Sequence, residues 1–156
     1  LLDAVRRDPV ERFVLISSSE VYGTAEQDPM DEEHPLNPRS PYAATKAGAD
    51  RLAYAYFVTY DLPIVILRPF NNYGPFQHPE KVVPRFVCQA LADRPLTIHG
   101  DGHATRDWLY VEDTAEAIDA AELAGGRTGE GDHQQLVQWR PTLRDVTQHQ
   151  CAALAL

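Results

Sequence analysis

Cysteine is nearly absent from this 156-residue chain, with only Cys88 and Cys151 present. Two thiols at no metal-binding spacing exclude a disulfide framework and read as reduced cysteines. Positive charge is scarce as well: 14 Lys and Arg stand against 23 Asp and Glu, a net charge of -9, which argues against a nucleic-acid surface. No stretch approaches the roughly 18 consecutive apolar residues of a membrane span. No basic segment with an apolar run opens the chain as a secretion signal would. Six histidines occur, yet only His99 and His103 stand four apart, and Gly100 and Gly102 between them favour a turn, so no metal is assigned. What remains, 44% hydrophobic and 24% charged residues, fits one globular domain core of soluble, cytoplasmic type.

The most informative positive feature is Ser40-Pro41-Tyr42-Ala43-Ala44-Thr45-Lys46. A spacing of four puts Tyr42 and Lys46 one turn apart on a helix face, where an ammonium favours the phenolate and draws a tyrosine down from about 10 toward working pH. Upstream stands Ser18, within Ser17-Ser18-Ser19-Glu20. Its hydroxyl can donate and accept, completing a trio around a carbinol whose proton leaves as a hydride is removed from the same carbon. A lone Tyr-x-x-x-Lys also occurs on ordinary helix surfaces, so its surroundings decide its meaning.

Periodicity places these residues. Leu1 to Arg7 reads as a helix tail stopped by Asp8-Pro9, and Arg12 to Ser18 as a buried parallel strand with Ser18 at its carboxyl end, the ligand edge of open α/β sheets. Residues 23 to 39, with Asp28-Pro29, Asp31-Glu32-Glu33 and His34-Pro35, form an exposed loop with solvated charges. Ser40 as N-cap and Pro41 at N1 open a helix through about Tyr60, ended by Asp61-Leu62-Pro63. Ile64 to Leu67 is the next parallel strand, and Pro69 and Pro75 keep the following segment irregular. Lys81 to Asp93 is an amphipathic helix, Leu96 to His99 a short strand, Trp108 to Val111 another, and Asp113 caps a helix through about Leu123. Tyr22, an aromatic directly after a strand, reads as core before it reads as active-site floor.

Four segments, Arg12-Phe13-Val14-Leu15-Ile16-Ser17-Ser18-Ser19-Glu20-Val21-Tyr22-Gly23, Ser40 through Lys46, Leu67-Arg68-Pro69-Phe70-Asn71-Asn72-Tyr73-Gly74-Pro75 and Arg106-Asp107-Trp108-Leu109-Tyr110-Val111-Glu112-Asp113, together resemble the extended short-chain dehydrogenase/reductases that act on nucleotide sugars. They stand in that family's order and span roughly residues 11 to 124. The resemblance implies an α/β, Rossmann-like parallel sheet, NAD as cofactor and a nucleotide-diphosphate sugar as substrate. Ser18, Tyr42 and Lys46 then take the catalytic triad positions. Ser17, Tyr42, Lys46 and Pro69 fall on the cofactor side, and Ser19, Asn71, Lys81 and Arg106 on the substrate side. Arg106 matches an arginine for sugar-nucleotide phosphates, a task suited to a permanently charged group with two parallel donors; otherwise it pairs with Asp107 or Asp113 on the surface. Asn71 and Asn72 either reach the nucleotide or stabilise their own turn. Related enzymes are often homodimers through two helices, one of them matching the Tyr42 helix.

Glu20 separates subfamilies. A 4,6-dehydratase oxidises C4, removes the acidified C5 proton with a carboxylate, loses the C6 hydroxyl and returns the hydride to C6, and Glu20 matches the glutamate base of such enzymes. Pro79-Glu80-Lys81-Val82-Val83-Pro84 is similar to a dehydratase stretch on the substrate side. Ser19 departs from the aspartate typical of dTDP-glucose dehydratases, whereas GDP-mannose dehydratases show a Ser-Glu pair. UDP-glucuronate decarboxylases share the Ser-Glu pattern but carry acidic residues and glycine between the triad tyrosine and lysine, where Ala43-Ala44-Thr45 stand here. The expectation is a 4,6-dehydratase, with a 4-epimerase as the enzymatic alternative and a non-catalytic binding fragment or inactive remnant as the other.

In the family a Gly-x-x-Gly-x-x-Gly turn sets the pyrophosphate on a helix N-terminus, and this sequence contains none. The expectation is therefore a partial sheet without its N-terminal βαβαβ half, inactive and weak in NAD binding by itself. Residues 125 to 156, rich in glutamine and histidine from Gly131 onward, depart from the family pattern and are expected to be an atypical tail, disordered or out of frame.

Overall fold

The computed structural model describes residues 1–27 and 30–123. The boundary expected near 124, and the tail after it, lie outside these residues.

Helix α1 (Leu2–Arg7) leads into strand β1 (Phe13–Ile16), followed by a 3₁₀ turn at Ser19–Tyr22 and a long loop. Helix α2 (Pro41–Tyr60) then crosses to strand β2 (Ile64–Leu67), which pairs parallel with β1 in the register Phe13 to Ile64 through Ile16 to Leu67. This β-α-β crossover is the unit that parallel pairing demands. Helix α2 begins where the capping chemistry puts it: Ser40 Oγ accepts from the Ala43 N–H at 3.0 Å, and Pro41 occupies the first turn. It ends as Asp61 turns left-handed at φ 55° and its N–H bonds to the Phe57 carbonyl. An aspartate tolerates that conformation.

Beneath α2, Val5, Ala53, Leu62 and Ile64 form a buried cluster with Leu2, Phe13, Leu15, Tyr56, Phe57 and Ile66 packed on it. A second cluster of Val21, Tyr22 and Ala47, with Met30 and Leu36, fastens the 3₁₀ turn to the same helix. His34, expected in a solvated loop, is buried. Its Nε2 accepts from the Glu26 N–H at 3.0 Å and its Nδ1 lies 2.9 Å from the Pro35 carbonyl, which together define a neutral imidazole protonated at Nδ1.

Strand β3 (Asn71–Tyr73) pairs parallel with β4 (Trp108–Tyr110), from Asn71 opposite Trp108 to Tyr73 opposite Tyr110. Helix α3 (Val82–Leu91) lies between them in sequence, and helix α4 (Val111–Leu123) follows β4 directly. Gly74 lets α4 approach closely, because a Cβ there would come within 2.5 Å of Val111 Cγ1.

Four expectations are corrected. Pro69 and Pro75 do not exclude regular structure between them, since both flank rather than occupy β3. Leu96 to His99 forms no strand: Leu96 and Ile98 are exposed, and no ladder neighbour among the described residues pairs with them. Asp113 lies inside the first turn of α4 rather than capping it, because the helix starts at Val111 as β4 ends. Residues 13 to 16 are only partly covered, and Ile16 is exposed, so β1 is less buried than its apolar run implies. No helix among the described residues is long and apolar enough to cross a membrane.

Candidate active site

The segment 17–19 and the Lys46 ammonium meet at the carboxyl ends of β1 and β2. Past the regular strands, the Ser17 N–H donates to the Leu67 carbonyl at 2.7 Å and the Ser19 N–H to the Pro69 carbonyl at 3.1 Å. Pairing thus runs on to Ser19, as expected for a strand reaching Ser18. Pro69 has no N–H, so the rung it would offer the Ser17 carbonyl between these two bonds is missing. Ser17, Ser19 and Pro69 are therefore held at one edge by backbone bonds.

Ser18 is extended (φ -157°, ψ 147°) and caps the 3₁₀ turn, its Oγ accepting from the Glu20 N–H at 3.2 Å. The Val21 N–H returns to the Ser18 carbonyl and the Gly23 N–H to the Glu20 carbonyl, both at 3.2 Å. Gly23 closes the turn at φ 74°, where a Cβ would collide with the Asn37 carbonyl, so only glycine fits. The outcome is an exposed Glu20 on a short, tightly bonded turn beside Ser18. Among the described residues its carboxylate takes no ion pair or hydrogen bond.

Tyr42 stands in the first turn of α2 with about half its surface exposed, at 52%. One turn on, Lys46 Nζ donates to the Ile16 carbonyl at 3.0 Å. The ammonium thus reaches the end of β1, two residues from Ser18, and the Tyr42 helix is tied to the serine strand. The Lys46 ammonium and the Ser18 hydroxyl stand at this edge, with Tyr42 one turn before Lys46 and Glu20 two residues past Ser18; these are groups able to move a proton at a carbinol and at a neighbouring carbon. The ammonium and hydroxyls also suit the nicotinamide ribose of NAD. Among the described residues no glycine-rich turn is present for its pyrophosphate.

The substrate-side candidates gather in a different place. Asn71, Lys81 and Arg106 line one cleft of about 350 Å³ together with Asn72, Gln77, Val82 and Trp108. Ser19 is not among them; it stays with the first edge. Among the described residues Arg106 forms no ion pair, with Asp107, Asp113 or another acid, and its Nη1 donates to the neighbouring Thr105 carbonyl at 2.6 Å. Lys81 pairs with Glu80 at 3.5 Å across the surface. Asn72 is used structurally: its carbonyl accepts from Gln77 Nε2 at 2.8 Å, and its Oδ1 accepts from Thr114 Oγ1. Asn71 Nδ2 sits 3.5 Å from the Asp107 carbonyl. Two cations and an amide in one open cleft suit a diphosphate. Among the described residues no group of His, Cys, Asp and Glu could hold a metal ion.

Sequence reasoning missed a buried polar cluster behind the first edge. Asp50 is fully buried, and Arg68 grips it with two bonds, Nε to Oδ2 at 2.8 Å and Nη2 to Oδ1 at 2.9 Å. Arg68 Nη1 also donates to the Tyr22 hydroxyl at 2.8 Å, and the guanidinium lies 5.1 Å from the Tyr22 ring centre. Arg51 adds a bond to Asp50 Oδ1 at 3.1 Å, and the buried Ser17 hydroxyl stands close to the same carboxylate without closing a hydrogen bond. Burial by itself would raise the Asp50 pKa, but Arg68 with Arg51 more than offsets it and holds the carboxyl below its ordinary value. Burial pushes the Tyr22 phenol up despite the Arg68 bond. The available signal was Asp50 four residues beyond Lys46, with Arg68 directly ending β2.

The parallel strands with a helical crossover make a Rossmann-like α/β arrangement. The chain belongs to the NAD dependent epimerase/dehydratase family, whose pattern matches residues 1–133. It is 47% identical over 133 residues to a dTDP-glucose 4,6-dehydratase of Actinoplanes sp., covering 85% of this chain and 41% of that protein. Among solved structures it is similar to dTDP-glucose 4,6-dehydratase from Bacillus anthracis in complex with NAD, at 44% identity and TM-score 0.76, covering 80% of this chain and 41% of the other. It is also similar to UDP-glucuronic acid 4-epimerase from Bacillus cereus with UDP-glucuronic acid and NAD, at 40% identity and TM-score 0.72, covering 78% and 38%. The chain spans about two fifths of the length of these relatives.

Proposed function

We propose that this chain carries the catalytic edge of an NAD-dependent nucleotide-sugar 4,6-dehydratase. The observation that carries this reading is Glu20, fixed on a 3₁₀ turn whose cap is Ser18 and left exposed at the edge where the Lys46 ammonium ends. NAD, when bound, supplies the hydride acceptor and donor. Ser18 orients the C4 oxygen, Tyr42 takes the C4 hydroxyl proton, and Lys46, one turn away, holds the nicotinamide ribose. Ser17 and Pro69 border the cofactor through the strand-end backbone. Once C4 is a ketone the C5 proton is acidic, and the Glu20 carboxylate removes it as the C6 hydroxyl departs. Asn71, Lys81 and Arg106 hold the nucleotide-diphosphate sugar from the second cleft, with Ser19 beside its sugar.

The epimerase neighbours at TM-score 0.72 support a second reading, in which C4 is oxidised and re-reduced without chemistry at C5. Glu20→Gln in the full open reading frame separates the two. A dehydratase incorporates solvent deuterium at C5 and forms a 4-keto-6-deoxy sugar, and its Gln variant slows that step by about 10²- to 10⁴-fold while C4 oxidation persists. C4 epimerisation without C5 exchange, equally fast in the variant, would establish the epimerase.

A further inference from the structure

We infer that Arg68, clamped on Asp50 and reaching Tyr22, is a positioning residue that sets the turn carrying Ser18 and Glu20 against the helix carrying Tyr42 and Lys46. The inference rests on the proposed function for its catalytic consequence and on geometry alone for the positioning. Three pieces of backbone meet at this guanidinium. Asp50 lies on α2, one turn beyond Lys46; Arg68 lies just past β2; and Tyr22 closes the 3₁₀ turn that starts at Ser19. Arg68 uses its Nε and Nη2 on Asp50, and its Nη1 on Tyr22 and, at 3.5 Å, on the Glu32 carbonyl of the long loop.

The arrangement has features that plain packing lacks. A planar fork bonded at fixed angles to a carboxylate on one side and a phenol on the other fixes the distance between helix and turn, whereas apolar contacts would let them slide. The carboxylate is inaccessible to solvent and the Arg68 side chain only 11% exposed, so water cannot substitute for either partner. A buried pair of this kind adds little net stability over apolar residues of equal volume, and specifying one geometry is a role that justifies keeping it. Ala47, the neighbour of Lys46, packs on Val21 and Tyr22, so a shift of the turn is felt directly at the lysine.

The test uses Arg68→Lys in the full open reading frame. Lysine keeps the charge and most of the stem but cannot bond both Asp50 oxygens and Tyr22 together. Two measurements are made: hydrogen exchange of the Val21 and Gly23 amides against that of Ser17, whose bond to Leu67 belongs to the strand pair, and single-turnover reduction of bound NAD by nucleotide sugar. The expected result is exchange faster by about tenfold or more at Val21 and Gly23 with Ser17 unchanged. Hydride transfer should slow by about 10- to 100-fold while sugar-nucleotide affinity stays within about threefold. Tyr22→Phe, which keeps the ring and removes the hydroxyl, should show the same pattern at smaller amplitude and decides the matter if the lysine variant does not fold. Uniform acceleration at all three amides in both variants would reduce Arg68 to a stability role and overturn the inference, as would local acceleration with unchanged hydride transfer. If the parent reduces no NAD with any nucleotide sugar, the proposed function fails. The exchange pattern still decides the positioning.

Discussion

The two parallel strand pairs among the described residues are built in opposite ways. Around β1 and β2, apolar clusters and a fully buried aspartate hold helix, strand and turn together. Around β3 and β4, helix α3 has no buried residue, Val87 and Leu91 are exposed, and the cations of the cleft face solvent. Under the proposed function the first region fixes atoms that must meet a reacting carbon within tenths of an ångström, which a rigid support provides. Under the proposed function the second would hold a diphosphate by charge, which tolerates looser geometry. The proposed proton-transfer groups thus sit on the packed part and the proposed ligand-holding groups on the open part.

The largest expected effect tests that contrast directly. Arg68→Met leaves the Asp50 carboxylate buried without its main partner, and breaking such a pair costs about 3–5 kcal/mol. Arg106→Met, in the cleft, removes an exposed side chain without an ion pair and should change stability by no more than about 0.5 kcal/mol. Urea denaturation of both variants checks this. Comparable losses would mean that the cleft is as much a part of the packed core as the strand-end cluster.

Acid should act on the same pair with a smaller effect. The Asp50 carboxyl is held below its ordinary value in the folded chain, so its contribution is fully present above the unfolded carboxylate range near pH 4 and is lost as pH falls through the lowered folded value. Denaturation midpoints between about pH 7 and pH 3 should therefore fall on acidification. Asp50→Asn, less stable at neutrality, should fall less steeply over the same window. Parallel slopes for parent and variant would assign the acid sensitivity to other carboxylates.

Much of this organisation was legible in the sequence, and the misses share a cause. The Ser40 cap, Pro41 and the Asp61-Leu62-Pro63 stop mark α2 at Pro41–Tyr60, and the run Ile64 to Leu67 marks β2, because capping and short apolar runs are local. Ser18 at the end of the first strand and Tyr42 with Lys46 in the first turns of α2 followed once strand and helix were placed. The Asp50–Arg68–Tyr22 cluster was not legible: its members are 18 and 46 positions apart, and nothing local tells a buried aspartate from a solvated one. The Leu96 to His99 strand failed for the complementary reason. An apolar alternation is necessary for a strand, but pairing requires a neighbour that local sequence does not name. The separation of Ser19 from Asn71, Lys81 and Arg106 likewise depends on where two chain segments turn after their strands.

The smallest effect sharpens the comparison within α2 itself. Gly48 lies between Lys46 and Asp50, yet it is exposed and a Cβ there would meet nothing within 4 Å. The inner face at Ala47, Asp50 and Ala53 is buried, so on this description α2 is rigid through one face only and the outer face has room. Gly48→Ala should then raise stability by about 0.5–1 kcal/mol, through a lower backbone entropy in the unfolded chain and a better helix propensity. Tyr42 and Lys46, earlier on the same helix, keep their geometry, and the denaturation midpoint should rise without a change in slope. A loss of stability instead would require a body packed against the outer face of α2, since the described residues leave that space open. Sedimentation would then decide whether that body is a second copy of the chain, because a methyl group wedged into such an interface lowers self-association along with stability, whereas one facing water lowers neither.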